Sequence, residues 1–413
     1  MLKKIFVTVT AVLALGVSMV MAQEPLRIGL LTDTSGPLTI YGVELQNGFE
    51  LGIEYATDGT MEVAGRPVEV LVRDNASDPD TAASQARELI EREGVEILVG
   101  TVSSGVTVQL QNIAADFDVI LLAGPSASPA ITGENFNVNT FRFCRNSFHD
   151  FLAFASYAQE NLGTNFVQLA ADTQFGSDSA NAAQNVLSGA GIDFPQETIF
   201  VPEDTTDFTP FLRQVIDSEA DAAIISWAGD STVTLFQQID ELNVGETVPV
   251  VAAFNSNEII AAQDPSTIGT VSWMIYHYSF PDNEINDWLV ENHIERYDDV
   301  PDLFTECGFA SAQALIAAVE ASGGETFPED LIPALEGLEF EGPKGTYIMR
   351  PGDHQALVPM YIAELANLDD PDFLFYNLLE TVPAIDIIPP CTLPEEFADR
   401  CAMNDEMMEM MGE

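Results

Sequence analysis

Two loops near the start of the chain carry residue types suited to gripping a carboxylate or another small polar group. The first, Thr32-Asp33-Thr34-Ser35-Gly36-Pro37, follows the apolar run Leu26-Arg27-Ile28-Gly29-Leu30-Leu31 and precedes an amphipathic stretch through Leu45, Phe49 and Ile53. The second, Gly100-Thr101-Val102-Ser103-Ser104-Gly105, stands between Ile97-Leu98-Val99 and a stretch through Leu110, Ile113 and Ala114. Hydroxyls and free backbone N–H groups at a helix N-terminus favour negative charge. In open parallel sheets such loops lie at the carboxyl edge of the strands, where ligands bind. A third loop, Pro125-Ser126-Ala127-Ser128-Pro129, adds two hydroxyls between stiffening prolines. Donors fixed in advance lose less entropy on binding.

Signs of catalysis are missing. No Gly-x-Ser-x-Gly elbow, Gly-x-x-x-x-Gly-Lys loop or Gly-x-Gly-x-x-Gly turn opens any expected helix. His149, His277, His293 and His354 show no metal-ligand spacing with the cysteines. The reading is a binding protein, not an enzyme, with no cofactor and no metal.

The elements that must position these loops alternate between strand and helix. Val68 to Val72 reads as a strand, Asp80 to Arg92 as a helix with Ala82, Ala86, Leu89 and Ile90 on one face, and Val119 to Leu122 as a fourth strand. Such alternation implies a parallel sheet covered on both faces. A second set follows Thr140-Phe141-Arg142, with Asp150 expected to cap a helix running to Asn161. Its strands are Phe166 to Ala170, Glu197 to Val201, Ala222 to Trp227 and Val248 to Ala253. Val271 to Tyr276 is a further strand, leading into helices whose place in the order suggests a return to the first unit. Met403 to Glu413 is rich in Met and acid and reads as a frayed tail.

The first 22 residues read as an export signal: Lys3 and Lys4, an apolar run from Ile5 to Val17, then Val20-Met21-Ala22 with cleavage after Ala22. Roughly 15 apolar residues are too few to span a bilayer. The chain has 66 acidic and 14 basic residues, a net charge of −52. Loss of Lys3 and Lys4 takes that to −54, and leaves Lys344 as the single lysine. Nucleic acid and anionic membranes need basic footprints and are excluded as partners. The acids are scattered, as in a solvated shell suited to salty surroundings, where screening relieves self-repulsion. Export permits disulfides. Cys391 and Cys401 enclose nine residues and can close a small loop, whereas Cys144 and Cys307 either bridge each other or stay as two buried thiols.

The ordered set of short motifs resembles the periplasmic solute-binding proteins of ATP-driven importers, in the leucine/isoleucine/valine-binding branch. It comprises Ser35-Gly36-Pro37 with Tyr41-Gly42, Arg73-Asp74-Asn75 with Asp78-Pro79, Val99-Gly100 before Ser103-Ser104-Gly105, and Pro125 to Pro129. Phe141-Arg142, Phe175-Gly176, Asp207-Phe208 and Gly342-Pro343-Lys344-Gly345 complete it, over roughly Leu26 to Leu365. The resemblance implies the type I fold: α/β, with two doubly wound parallel-sheet lobes joined by a three-segment hinge. By that likeness lobe 1 is 23–140 plus 278–350, lobe 2 is 141–277 plus 351–385, and 386–413 is a C-terminal tail. Hinges fall near Thr140–Phe143, Ile275–Tyr278 and Arg350–Gln355.

The same resemblance implies a monomer that closes on a small-molecule ligand (amino acid, amide or carboxylate) and is recognised by an ABC permease in the inner membrane. The alternative is a ligand-sensing protein serving a membrane receptor or kinase. Ser103 and Ser104 match the family's carboxylate-holding loop, and Ser126 and Ser128 its second loop. Tyr41, Phe175 and Trp227 are the expected aromatic walls. Amino-acid binders of this branch tend to carry an acid near Phe254-Asn255-Ser256 to pair with the ligand's ammonium. Asn255 stands there instead, which leaves amides, urea-like solutes and organic acids open beside amino acids. Arg142 reads as an internal brace; Arg145, if it points into the cleft, implies a second negative charge on the ligand.

Overall fold

The computed structural model describes residues 24–411. The expected signal peptide, 1–22, lies outside the described residues.

Lobe 1 is built on strands β1 (Leu26–Thr32), β2 (Glu62–Val63), β3 (Arg66–Asp74), β4 (Ile97–Val99), β5 (Ile120–Ala123) and β6 (Thr140–Arg142). Their order is β2-β3-β1-β4-β5-β6, and only the two-residue β2 runs antiparallel to its neighbour. Ile28 and Leu30 pack on helices Thr39–Ala56 and Thr305–Ala321, while Leu31 packs on helices Pro79–Glu93 and Ser104–Phe117. That is the period-two alternation of a strand buried on both faces. The two helices of the first pair touch backbone to backbone. A Cβ on Gly48 would fall 1.8 Å from the Thr305 carbonyl oxygen.

Lobe 2 repeats the plan. Strands β7 (Phe166–Ala171), β8 (Ile199–Val201), β9 (Ala222–Ser226) and β10 (Val250–Val251) are parallel in the order β10-β9-β7-β8. Helices Ser147–Asn161 and Gln174–Gly189 cover one face, and Thr209–Asp217 and Thr232–Glu241 the other. The first of these helices starts before Asp150: Asn146 is its cap, accepting from the N–H of Phe148 and His149. Strand β11 (Val271–Met274) belongs to the same lobe, and its Trp273 carbonyl accepts from the Phe254 N–H, just after β10, at 3.0 Å.

After helix Pro328–Leu335 come β12 (Glu339–Gly342), β13 (Gly345–Met349) and β14 (Ala356–Leu357), an antiparallel group whose Tyr347, Met349 and Ala356 join the lobe 1 core. Finally β15 (Met360–Leu365) and β16 (Tyr376–Val382) form an antiparallel sheet with β11 in the order β11-β15-β16. The chain thus crosses between the lobes after β6, after β11 and after β14, and returns to lobe 1 after β16, where Met407 packs on Ile348 and Leu357.

The strand orders decide where a ligand can sit. From β1 the chain moves to β3 on one side, then to β4 on the other, so the order reverses between β1 and β4. In lobe 2 it reverses between β7 and β9. Loops leaving two such strands part from each other and open a crevice at the carboxyl ends. Gly100, directly after β4, has φ 128°, and a Cβ there would lie 1.9 Å from the Leu31 carbonyl oxygen. Glycine is required at that position for the loop to pass β1.

Both cysteine pairs are bonded, with Cα–Cα distances of 5.3 Å for Cys144–Cys307 and 5.9 Å for Cys391–Cys401. The C-terminal segment is not frayed as the sequence suggests. Residues Cys401–Met411 form a helix, and Asn404 Oδ1 accepts from the Gly352 N–H at 2.7 Å. Arg400 donates to the carbonyls of Gly352 and Pro351 (2.8 and 2.7 Å) and to Glu336 (2.7 Å). These tertiary bonds override the poor local composition. Closing the Cys391–Cys401 loop removes about 2.5 kcal/mol of unfolded-chain entropy. The double variant Cys391→Ser with Cys401→Ser is therefore expected to lose its last residues to trypsin at Arg400 well before the wild type. Equal trimming rates would contradict this anchoring.

Candidate functional site

A cavity of about 500 Å³ lies between the lobes, where the two reversal points face each other. That is ample for a small ligand. Lobe 1 contributes Leu38 and Tyr41 after β1, Ser103 and Ser104 after β4, and Pro125 and Ala127 after β5. Lobe 2 contributes Gln174 and Phe175 after β7, Trp227 after β9, and Phe254 and Asn255 after β10. Arg145 and Ile275 line it from two of the crossings, with Leu303 and Phe304 beside them. Six of the eight expected site residues come together here: Tyr41, Ser103, Ser104, Phe175, Trp227 and Asn255.

Ser103 precedes helix Ser104–Phe117, yet its side chain makes no capping bond. Its hydroxyl is therefore uncommitted at a positive helix end. Ser104 Oγ accepts from the Ser128 N–H at 3.2 Å. The Tyr41 hydroxyl donates to Asn255 Oδ1 at 2.7 Å, across the cleft. Asn255 Oδ1 also accepts from Ser256 N–H (2.9 Å), which leaves the Asn255 amide N–H₂ without an acceptor among the described residues. Trp227 Nε1 donates to Ser231 Oγ at 3.0 Å, and its ring packs edge-on against Phe208. It is thus a core tryptophan with one face on the cavity.

Ser126 and Ser128 do not line the cavity, contrary to expectation. Both are shut from solvent. Buried Arg142 is the cause, since its Nη1 donates to the carbonyls of Ser126 and Ser128 at 2.9 and 2.7 Å. Drawing these alternate residues inward turns Pro125 and Ala127 toward the ligand space. Ser128 Oγ instead donates to Asp178 of lobe 2, so it ties the lobes together.

A second tie uses two carboxylates that sequence reasoning missed. Glu44 accepts from Ser256 Oγ (2.7 Å) and the Phe304 N–H (3.0 Å). Asp302 accepts from the N–H groups of Asn257 (2.7 Å) and Leu303 (2.8 Å). Glu44 and Asp302 come from lobe 1 and their partners Ser256 and Asn257 from lobe 2. Burial and then the nearby Asp302 push the Glu44 carboxyl well above the usual range. Asp302 is raised to about 7 by burial, opposed by its backbone donors and reinforced by Asp299 and Glu258. No local pattern marks such a pair, because its members are far apart in the chain.

The comparisons with known proteins agree with this geometry. Residues 25–370 match the family model for periplasmic binding proteins. The chain belongs to the periplasmic binding protein family. A solved ABC-type branched-chain amino acid transporter from Rhodopseudomonas palustris CGA009 is 32% identical, with TM-score 0.74, over 90% of this chain and all of that one. Leu/Ile/Val-binding protein homolog 6 of Brucella suis biovar 1 is 24% identical over 377 residues, 89% of this chain and 94% of that one. A solute-binding protein from Rhodopseudomonas palustris BisB5, solved with 3,4-dihydroxybenzoic acid, shares the fold at TM-score 0.77 and 20% identity over 87% of this chain and 98% of that one. This periplasmic binding protein is of type I, a solute-binding component of an ABC transporter for small ligands and not an enzyme.

The raised carboxyls of Glu44 and Asp302 predict a pH response for the periplasmic binding protein. A carboxyl raised in the folded state stabilises below its unfolded pKa and loses that contribution as pH rises through the folded value. Going from about pH 5 to about pH 8 should cost the wild type more stability than Asp302→Asn, whose amide does not ionise beside Glu44. Urea midpoints at both pH values measure it, and equal losses would contradict the assignment.

Proposed function

We propose that the protein is exported to the periplasm with its signal peptide removed after Ala22. There, as a monomer, it captures one amino acid, amide or carboxylate between its lobes and presents the closed form to an ABC permease of the inner membrane. The observation that carries this reading is the cavity between the lobes, bracketed by interlobe hydrogen bonds. Tyr41–Asn255, Ser128–Asp178 and Ser256–Glu44 all span the two lobes around it. Their formation couples closure to whatever fills the space between them, a hinge closure. The uncommitted Ser103 hydroxyl and Asn255 amide supply polar contacts, and Phe175, Trp227, Leu38 and Phe304 supply an apolar enclosure. The names of the relatives, branched-chain amino acid and Leu/Ile/Val binders, and the acid held by the Rhodopseudomonas palustris BisB5 protein fall within this ligand range.

Thermal-shift screening of the mature protein against amino acids, amides and small carboxylates tests the proposal. A ligand at 100 times its Kd should stabilise the fold by about 2.7 kcal/mol. Ser103→Ala should weaken its binding by about 1 kcal/mol or more while leaving the ligand-free melting point unchanged, since that hydroxyl bonds none of the described residues. No shift with any compound, or an unaltered affinity in Ser103→Ala, would contradict the site.

A further inference from the structure

Arg145 lies in the first crossing between the lobes and is 7% exposed. Its Nε donates to Asp150 Oδ1 at 3.2 Å and its Nη1 to the Pro125 carbonyl at 3.0 Å. The guanidinium also sits 5.6 Å from the centre of the Phe304 ring. These contacts fix its plane and leave Nη2 as the only end without a partner. Nη2 makes no hydrogen bond to any described residue, yet it is not among the polar atoms sealed from solvent. Arg145 lines the cavity, and Nη2 is the nitrogen left free to reach into it. Among the described residues, no other basic side chain lines that cavity.

The acids are placed differently. Asp78 and Glu203 line the cavity, but both are exposed at its rim, and Asp78 is engaged in capping Thr81 N–H at 2.7 Å. Glu44 and Asp302 spend their oxygens on interlobe and backbone donors, and neither lines the cavity. At Asn255 the one side-chain oxygen is taken by Tyr41 and Ser256, which leaves only N–H donors facing the ligand. An ammonium group brought inside would lose its water shell without gaining a buried carboxylate, a costly exchange. A carboxylate would meet a fixed guanidinium, the geometry that suits it best.

We infer that the cleft selects a small monocarboxylate that lacks an ammonium group and has an apolar or aromatic body, with Arg145 Nη2 donating to its carboxylate. Arg145 thus meets the ligand's one negative charge and not, as the sequence alone suggested, a second one. This rests on the proposed binding site and adds the chemical class of its ligand. Phe175, Trp227, Phe304 and Leu38 enclose the body of that ligand, and the Asp150 pair holds the guanidinium in position for it.

The test is a thermal-shift panel of aliphatic and aromatic monocarboxylates, each beside its own amide and its α-amino acid counterpart, followed by titration calorimetry of every compound that responds. Isocaproate, isocaproamide and leucine form one such set, and para-hydroxybenzoate and its amide another. The expected result is an acid that binds about 10- to 100-fold more tightly than its amide and its amino acid. Arg145→Gln should bring that acid to the affinity of the amide, and Arg145→Lys should keep part of the preference. Because Arg145→Gln strands Asp150 and can unfold the protein, the wild-type comparison of acid with amide stands on its own as a test. Amides or amino acids binding as tightly as the acids would overturn the inference and leave the binding site in place. Loss of preference failing to appear in a folded Arg145→Gln protein would do the same. A panel in which nothing binds would overturn both.

Discussion

Arg142 is closed off from solvent, and all three of its nitrogens are satisfied: Nε by Gln355 (2.7 Å), Nη1 by two carbonyls of the loop after β5, and Nη2 by Thr132 (2.7 Å). Gln355 belongs to the approach to the third crossing and also accepts from Asn146, the cap of the first helix of lobe 2. One guanidinium thereby joins the end of the lobe 1 sheet, a wall of the cleft and two of the connections between the lobes. Its neighbours repeat the pattern. Arg145 pairs with Asp150, Arg350 with Asp353, and Lys344 lies 3.9 Å from Glu306, all of them buried. In a chain with so few basic residues, four of them serve the hinge region. Breaking one partner of a buried pair is expensive because it strands the other charge, which holds these contacts intact.

From that frame the cleft follows by topology. Each sheet reverses its strand order once, and the hinge sets the two reversals opposite each other. Across that crevice Tyr41 meets Asn255, Ser128 meets Asp178 and Glu44 meets Ser256. None of these bonds is strong alone, roughly 1 kcal/mol net for a typical one, so a ligand of ordinary affinity is enough to shift the balance between open and closed. The net charge of −52 bears on the approach of a charged solute more than on its docking. A negative solute is repelled at long range in dilute buffer, and salt screens that repulsion.

Much of this was legible in the residues. The parallel strands announced themselves as short apolar runs, and Gly100, Ser103 and Ser104 as a helix-opening loop. Antiparallel β16 was not legible, because most of Tyr376–Val382 is exposed and lacks an alternating pattern. The order of the C-terminal helix was hidden too, since it depends on a disulfide and on Arg400 reaching backbone carbonyls far away in sequence. Within the site, hydroxyl type alone pointed equally to Ser126, Ser128, Ser103 and Ser104. Only the pull of Arg142 on the carbonyls distinguishes the serines that face the core from those that line the cavity. Glu44 and Asp302 could not be found from spacing at all, for their meeting is a product of the tertiary fold.

The rest depends on two facing halves that swing together over a solute. Spin labels at Asp80 and Asp204 would read this directly, since their neighbours Pro79 and Glu203 stand on opposite lips of the cavity. A compound that raises the melting temperature should shorten and narrow the distance distribution between the labels. A distribution that stays the same when such a compound saturates the protein would contradict the account.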